Sequence, residues 1–297
     1  MNIAKFAGAA TALSTAWLVA SCFSIKTTSK GAAPQQPIQN ITQVASIKDI
    51  HPWAKKRVAY FGDSVSDPAV AATKTRYWDY LRDWLGITPY VYAVSGREWN
   101  DIPRQTDELQ KEHGQEVDAI VVFAGTNDFN AGVPIGKFFN ESDGKVVAAT
   151  GEPKSEKQRR HREPVMDAAT FCGRLNIGIS KIKTLYPTKQ LVLLTPLHRA
   201  FATFGDNNVQ PDENWQNSRG EWVDAYIEAV KQAGRVWAVP VVDVSTLSGL
   251  YPVLDSNVQF FANGSTDRLH PNESGHRRIA TTMVYQLLTI PCTFENP

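Results

Sequence analysis

The sequence predicts an α/β fold in which about five parallel strands form a sheet with helices on both faces. Two observations support this prediction. From residue 57 onward, short β-rich runs alternate with segments of helical periodicity. One run, 119–124, is apolar at every position, as expected of a parallel strand that is covered on both sides. A chain of 297 residues, of which 42% are hydrophobic, is long enough to bury one sizeable core of this kind.

The first predicted strand, 58–61, leads into a helix predicted at 75–85. Gly86 is suited to end this helix, because glycine readily adopts the left-handed conformation found after a helix C-terminus. The apolar residues of the helix recur at helical spacing: Tyr77, Trp78, Leu81 and Leu85. The second and third strands are predicted at 89–94 and 119–124.

A charged segment at 136–163 interrupts this alternation. After it we expect, in order, a helix, a strand, a helix and a strand, at 171–186, 190–195, 219–234 and 239–244. The last helix is predicted to begin at Pro271, since proline suits the first helical turn and favours an extended backbone in the residue before it.

The first 22 residues do not resemble part of a fold. Lys5 precedes a mostly apolar stretch, 6–20, which is too short to span a bilayer and fits the hydrophobic region of a signal peptide. Small residues lie directly before Cys22, so the segment resembles a bacterial lipoprotein signal with its lipobox. An ordinary secretory signal, in which Cys22 is incidental, is the alternative.

The lipoprotein interpretation predicts an exported chain that starts at Cys22 and is held at the bacterial cell envelope by acyl chains. No Asp follows Cys22, and the sorting rule familiar from enterobacteria then points to the outer membrane. Residues 23–50 are rich in Ser, Thr, Gln, Ala and Pro, which predicts a flexible tether. The folded domain is expected at 51–297.

The charge balance bears on the choice of partner. The 31 basic residues nearly cancel the 30 acidic ones, so no global field draws the protein to nucleic acid or to an anionic membrane surface. The expected ligand is a neutral or weakly charged small molecule or polymer.

Two cysteines remain besides Cys22, at Cys172 and Cys292. Export permits a disulfide between them. Scattered cysteines are, however, more often small buried hydrophobic residues than a bridge or a metal site.

A tight turn follows the first predicted strand and carries a serine. The sequence Gly62-Asp63-Ser64-Val65 would place the Ser64 hydroxyl at the carboxyl end of the sheet, where open α/β sheets bind their ligands. Alone, such a triplet is usually just a turn. Three further blocks lie at strand ends or before the last helix: Ser95-Gly96, Gly125-Thr126-Asn127-Asp128 and Asp267-Arg268-Leu269-His270-Pro271.

The chemistry of a serine nucleophile requires a base and an anion. A serine hydroxyl is a poor nucleophile at neutral pH, and an imidazole such as that of His270 can take its proton. Asp267 lies three residues earlier on the same predicted loop, where it can fix the tautomer of the base and stabilise the imidazolium. In the α/β-hydrolases these two residues come from separate loops, which argues against that fold. The candidate catalytic residues are therefore Ser64, Asp267 and His270.

The four blocks resemble, in order, those of the SGNH (GDSL) hydrolase family, whose name lists the residues that are here Ser64, Gly96, Asn127 and His270. The resemblance covers about 57–290. It implies a three-layer, flavodoxin-like fold and ester hydrolysis without a metal or organic cofactor. It also implies an oxyanion hole formed by the backbone N–H groups of Ser64 and Gly96 and the side-chain amide of Asn127. Ordinary turns after strands are the alternative for Gly96 and Asn127.

Two further pairs of residues lie beside these blocks. His198 and Arg199 directly follow the fourth predicted strand, so they either line the active-site rim and contact substrate or have a plain loop role. Asp63 and Asp128 are either metal ligands or acceptors of backbone N–H groups that hold the loops in shape, and turn chemistry favours the second. No metal site is predicted.

Two other features bear on the substrate. The segment 154–163 has five Lys or Arg residues against two Glu. It is either a solvated loop or a cover over the site that would favour an acidic polymer or a phosphate-bearing lipid. Trp99, Trp215 and Trp222 lie near strand ends, and aromatic platforms suit sugar rings, although most such residues simply pack.

The favoured expectation is a serine esterase that deacetylates glycans outside the cell. A lipase, lysophospholipase or thioesterase of the same fold is the nearest alternative, since the motifs fix neither the acyl group nor the alcohol. A metallophosphoesterase is disfavoured because its paired-metal spacing is absent. A non-catalytic glycan-binding lipoprotein is disfavoured because all four blocks are retained.

Overall fold

A computed structural model describes residues 46–292 and 294 of the chain. The predicted signal peptide, Cys22 and most of the predicted tether lie outside these residues. The strands, in chain order, are β1 (Arg57–Gly62), β2 (Thr88–Val91), β3 (Ala119–Phe123), β4 (Phe139–Ala148), β5 (Ser155–Pro164), β6 (Gln190–Leu194), β7 (Ala202–Thr203), β8 (Val209–Gln210), β9 (Val241–Val242), β10 (Phe261–Asn263) and β11 (Asp267–Pro271). The α-helices are α1 (Ile47–Ile50), α2 (Tyr77–Leu85), α3 (Ile102–His113), α4 (Thr126–Asn130), α5 (Phe171–Leu185), α6 (Val223–Trp237), α7 (Val244–Leu247) and α8 (Glu273–Thr289).

Five strands form the central parallel sheet in the order β2-β1-β3-β6-β9, which confirms the predicted fold class. This is the flavodoxin-like order, in which the chain reverses its direction across the sheet between β1 and β3. Loops that leave β1 and β3 diverge to opposite faces, and the crevice between them is the usual ligand site of such sheets.

Helices cover the sheet on both faces because its strands are apolar on both sides. Along β1, Val58 and Tyr60 pack with the buried residues of α2 and α8. Ala59 and Phe61 point to the opposite face and pack with those of α3, α5 and α6. The sheet thus lies between two packed apolar layers, which fix the position of its carboxyl edge, where Ser64 follows β1.

A second, smaller sheet lies outside the parallel one and was not predicted. Its strand order is β10-β11-β7-β8, and its pairs are antiparallel. Asp267 and His270 belong to β11, so the prediction of a connecting loop at this point is wrong. Strands of two to five residues leave too little periodicity in the sequence to be recognised.

The charged segment 136–163 contains two strands, so the alternative of a solvated loop at 154–163 is wrong. It forms an antiparallel hairpin, in which β4 pairs with β5 over ten residues each. The hairpin is exposed along most of its length, and its base is tied to α5, because the Asn176 amide donates to the carbonyl groups of Phe138 and Val165, each at 2.9 Å.

Two predicted boundaries are wrong. The last helix begins at Glu273 rather than Pro271, because Pro271 completes β11 and the Asn272 side chain caps the helix by accepting from the backbone N–H of Gly275. The tether was predicted to end at residue 50, but α1 already occupies Ile47–Ile50. The buried His51 ring follows and donates from Nε2 to the carbonyl of Val284 at 3.0 Å, which fastens this end of the chain to α8.

Cys172 and Cys292 are both free thiols. Cys172 belongs to the cluster of α3, α5 and α6, whereas Cys292 packs against the cluster on the other side of the sheet. The two therefore act as packing residues. Within the described part of the chain, no helix is long and apolar enough to cross a membrane.

Candidate active site

Ser64, His270 and Asp267 form a continuous chain of hydrogen bonds. The Ser64 hydroxyl lies 2.8 Å from Nε2 of His270, and Nδ1 of the same ring lies 2.9 Å from Oδ2 of Asp267. An ionised carboxylate only accepts, so Nδ1 carries the proton and Nε2 is left as the acceptor for the serine hydroxyl. Ser64 and His270 are 7% and 8% exposed, which shields their contact from bulk water.

The turn after β1 depends on a glycine and a glutamine. A Cβ at Gly62 would lie 2.1 Å from the carbonyl oxygen of Phe123, so only glycine lets β1 and β3 run this close together at their ends. The buried Gln105 amide from α3 then pairs with the same residue, accepting from Gly62 N at 2.8 Å and donating to Gly62 O at 2.9 Å. This pair fixes the strand end directly before Ser64.

Asp267 reaches His270 because the chain turns locally within β11. Its Oδ1 accepts from the backbone N–H groups of Leu269 at 3.1 Å and His270 at 3.0 Å, which leaves Oδ2 for the imidazole. Burial alone would raise the pKa of Asp267. The hydrogen bond and charge of His270 together with the backbone donors outweigh burial, so this pKa lies below its usual value and the carboxylate stays ionised at neutral pH.

The three groups expected to bind an oxyanion lie around one cavity with Ser64. This cavity has a volume of about 450 Å³, and its lining includes Ser64, Gly96 and Asn127. Gly96 has a φ of 77°, a left-handed conformation that favours glycine. Among the described residues, the backbone N–H groups of Ser64 and Gly96 have no acceptor. One amide hydrogen of Asn127 is donated to the carbonyl of Arg97 at 3.0 Å, and the other has no acceptor in the described part of the chain.

Two carboxylates, Asp67 and Asp128, join the loops that carry these groups. Asp67, for which the sequence analysis gave no role, accepts from Ser95 N at 2.7 Å and so connects the loop of Gly96 to the Ser64 turn. Asp128 accepts from Trp99 N at 3.0 Å and ties the same loop to Asn127. These bonds set the positions of the oxyanion donors relative to one another.

Asp128 is itself held by Arg174, whose Nη1 lies 2.8 Å from Oδ1 of Asp128 and also contacts Glu98. Burial raises the pKa of Asp128 to about 6, against the opposing effect of Arg174. Burial likewise raises the pKa of Asp63 to about 7, and its Oδ1 accepts from Val65 N at 3.1 Å. Both carboxyl groups thus bind backbone donors. No cluster of three or more potential metal-ligating side chains occurs in the described ranges.

His198 and Arg199 do not line the catalytic cavity. Arg199 is only 1% exposed, and its guanidinium donates to Thr126 O and Oγ1, each at 3.0 Å, and to Gln210 Oε1 at 2.6 Å. Arg199 therefore connects the segment after β3, which begins with Thr126 and Asn127, to β8. The ring of His198 lies 2.7 Å from Glu213 Oε1, and this hydrogen bond raises its pKa. For Arg199 the prediction that it contacts substrate at the active-site rim is wrong, because its guanidinium is buried and hydrogen-bonded inside the protein.

The charged hairpin and the three tryptophans that the sequence analysis considered do not line the catalytic cavity. No residue of the hairpin lines the catalytic cavity, and Arg160 pairs instead with Glu141 and Asp143 of the opposite strand. Trp99 is fully buried and packs in the core, so it is no platform for a ligand. Trp215 and Trp222 are exposed.

A doubly wound sheet with a linked serine, histidine and aspartate at its carboxyl edge is an arrangement of the serine hydrolases. The comparison with family models gives the particular family. The model of the GDSL-like lipase/acylhydrolase family matches residues 60–278, and the chain belongs to this family. No curated protein sequence matches the chain.

Several solved structures share the fold. A protein from Lactobacillus plantarum is 22% identical with a TM-score of 0.60, over 79% of this chain and 97% of that one. A possible lipase from Chitinophaga pinensis is 20% identical with a TM-score of 0.56, over 78% and 97% of the two chains. At such identities the likeness shows the fold alone.

Proposed function

We propose that the protein hydrolyses carboxylic esters through an acyl-enzyme on Ser64. The observation that carries this proposal is the hydrogen-bonded chain from Ser64 through His270 to Asp267. His270 Nε2 takes the hydroxyl proton as Oγ attacks the ester carbonyl, and the same proton then passes to the departing alcohol. Water, activated by His270 in turn, releases the acid and restores the serine. Asp267 stays ionised throughout and stabilises the imidazolium.

The oxyanion of each tetrahedral intermediate would bind the free donors of Ser64, Gly96 and Asn127. Donors that are already aligned commonly supply the largest single contribution to such reactions, about 10² to 10³ in rate for one donor. The ties from Asp67 and Asp128 to the loop of Gly96 keep these donors in place before substrate arrives.

We propose glycan esters with a short acyl group, such as acetyl, as the substrate class. The lining of the catalytic cavity supports this choice. Small apolar side chains, Ala71 and Ala72, line the cavity together with Ser64, and so do the amides of Asn127 and Asn208, each of which keeps a donor without an acceptor among the described residues. Amide groups both donate to and accept from hydroxyl groups, whereas a long acyl chain would gain little from them.

The test is hydrolysis of p-nitrophenyl esters from acetate to palmitate, with Ser64→Ala and with a chelator as controls. We expect kcat/KM to fall as the acyl chain lengthens, with activity that resists the chelator and disappears in Ser64→Ala. A preference for long chains would instead support the lipase alternative. Equal activity in Ser64→Ala would remove Ser64 from the mechanism.

We further propose that the protein is exported and held at the bacterial envelope, at the outer membrane, by acyl chains on Cys22. The support is the signal-like segment 1–22 and its small residues before Cys22. Metabolic labelling with an alkyne-bearing fatty acid should mark the full-length wild type but not Cys22→Ser. Equal labelling of both, or of neither, would contradict the anchor.

A further inference from the structure

A second cavity adjoins the catalytic one across the β7–β8 hairpin. It has a volume of about 270 Å³ and is separate from the cavity that holds Ser64, but Asn208 lines both. The other residues of its lining are Phe129, Asn130, Asn207, Val209, Pro211, Asp212, Trp215, Gln216, Asn217 and Ser218. A ligand that occupies both cavities would pass the Asn208 side chain.

The second cavity combines an exposed aromatic ring with free amides. Trp215 is 66% exposed, although its indole is among the largest apolar surfaces a side chain offers. Asn130 and Asn207 are exposed, and their side-chain amides have no hydrogen-bond partner within the described part of the chain. A sugar ring has a matching pair of surfaces, an apolar face of C–H groups and an edge of hydroxyl groups that both donate and accept.

The charge of the lining narrows the class of sugar. The cavity is lined by one carboxylate, Asp212, and by no Lys or Arg among the described residues. A uronate or a phosphate would meet no cation here and would face the charge of Asp212. A neutral sugar carries no such penalty.

The loop that carries Trp215 is held in place before any ligand binds. The Asn217 amide donates to Phe129 O at 3.0 Å and to the hydroxyl of Tyr226 at 2.9 Å. Its Oδ1 accepts from the backbone N–H groups of Arg219 and Glu221, at 2.9 Å and 3.1 Å. A preformed loop loses little conformational entropy on binding, which favours a binding role over simple exposure.

The wall between the two cavities is fastened to the catalytic loops. The buried Arg199 joins Thr126 to Gln210, and the Gln210 amide donates to Asn208 Oδ1 at 3.0 Å. Asn208, which lines both cavities, is thus linked through Gln210 and Arg199 to the catalytic loop that contains Thr126.

We propose that the second cavity is a subsite for a neutral sugar unit of the glycan whose ester lies at Ser64, with Trp215 stacked on the ring and Asn207 bound to its hydroxyl groups. That the ligand is a glycan ester rests on the proposed function, but binding of the glycan can be measured separately from its hydrolysis.

Binding of unacetylated xylohexaose, cellohexaose and mannohexaose, measured by isothermal titration calorimetry, tests the subsite without any reaction. We expect at least one of the three to bind wild type, and Trp215→Ala and Asn207→Ala each to raise its Kd at least about fivefold. Trp222→Ala is the matched control, because Trp222 is an exposed tryptophan outside the second cavity. The Kd of the oligosaccharide for Trp222→Ala should stay within about twofold of the wild-type value.

The subsite is overturned if none of the three oligosaccharides binds, or if Trp215→Ala binds as wild type does. It is also overturned if Trp215→Ala instead weakens binding to phosphatidylcholine vesicles, since the ring would then serve a lipid surface. Hydrolysis of p-nitrophenyl acetate should be equal in wild type and Trp215→Ala, because so small an ester needs only the catalytic cavity. Binding without any hydrolysis by wild type would leave the subsite standing and contradict the proposed function.

Discussion

Removal of the Arg174 guanidinium is expected to destabilise the fold, because it leaves a buried carboxylate without its cation. Arg174 Nη1 lies 2.8 Å from Oδ1 of Asp128, and the Asp128 side chain is 0% exposed. Burial raises the pKa of Asp128 only to about 6, so the group is ionised at pH 8. In Arg174→Ala the Asp128 carboxyl group would keep the hydrogen bond from the backbone N–H of Trp99 but lose its cation. It would then either stay charged without a partner or take up a proton at pH 8, and both cost stability.

The size of the effect follows from the distance and the burial. Two unit charges 2.8 Å apart attract by about 6 kcal/mol at an effective dielectric constant of about 20. Losing one partner of a buried pair commonly lowers the free energy of unfolding by about 3–5 kcal/mol, which is the change expected for Arg174→Ala at pH 8. Arg104 gives a matched control, since it also contacts two acids, but its side chain is 39% exposed. Arg104→Ala should lower the free energy of unfolding by less than about 1 kcal/mol.

Urea denaturation at pH 8 and pH 5 measures this difference. At pH 5 Asp128 takes up a proton in the folded protein, so the deficit of Arg174→Ala relative to wild type should shrink. In an Asp128→Asn background the Arg174→Ala change should have a much smaller effect. A deficit no larger than that of Arg104→Ala, or one of equal size at both pH values, would refute the reasoning.

Three further changes test other parts of the site. Burial raises the pKa of Asp63 to about 7, so the folded protein holds a proton that the unfolded chain releases above about pH 4. Asp63 should therefore lower stability by up to about 4 kcal/mol from pH 4 to pH 7, and the fall measured by urea denaturation should be smaller by about this amount in Asp63→Asn; equal falls in wild type and Asp63→Asn would contradict it. Asp67→Ala removes the acceptor of Ser95 N and should lower kcat/KM for p-nitrophenyl acetate about tenfold, an unchanged rate being the contrary result. Replacing Arg159 and Arg160 by Ala should leave KM unchanged for acidic and neutral esters alike, because no residue of the β4–β5 hairpin lines the catalytic cavity. A rise in KM confined to acidic esters would contradict this prediction.

The sequence predicts the central sheet well, because each of its strands is a short apolar run beside a helix of clear periodicity. The 119–124 run becomes β3, with all five of its residues buried. The weakest element is the fifth strand, which is predicted over 239–244 and forms only Val241–Val242, since Val244 already starts α7.

Residues that carry chemistry at strand ends are also predictable, because their type and order are constrained together. Ser64, Asp267 and His270 meet although the backbone around His270 is a strand instead of the expected loop. The local turn at Asp267 depends only on neighbouring backbone donors, so it survives that error.

The supporting residues are harder to find, since their partners are distant in the sequence. Gln105 is bonded to Gly62, and the one signal for it is a polar residue at helical spacing between Ile102 and Leu109 on a buried face. Arg199 follows a strand end as a substrate-binding residue would, and only its burial in the structure shows that it braces Thr126 instead.

The central claim is that Ser64 is activated by His270 to form a covalent acyl-enzyme. It is tested most directly by mass spectrometry after treatment with a fluorophosphonate, which phosphonylates activated serines. We expect one adduct, located on the peptide that contains Ser64, with no adduct in Ser64→Ala and strongly slowed labelling in His270→Ala. Labelling of another residue, or of Ser64 at the wild-type rate without His270, would contradict the account.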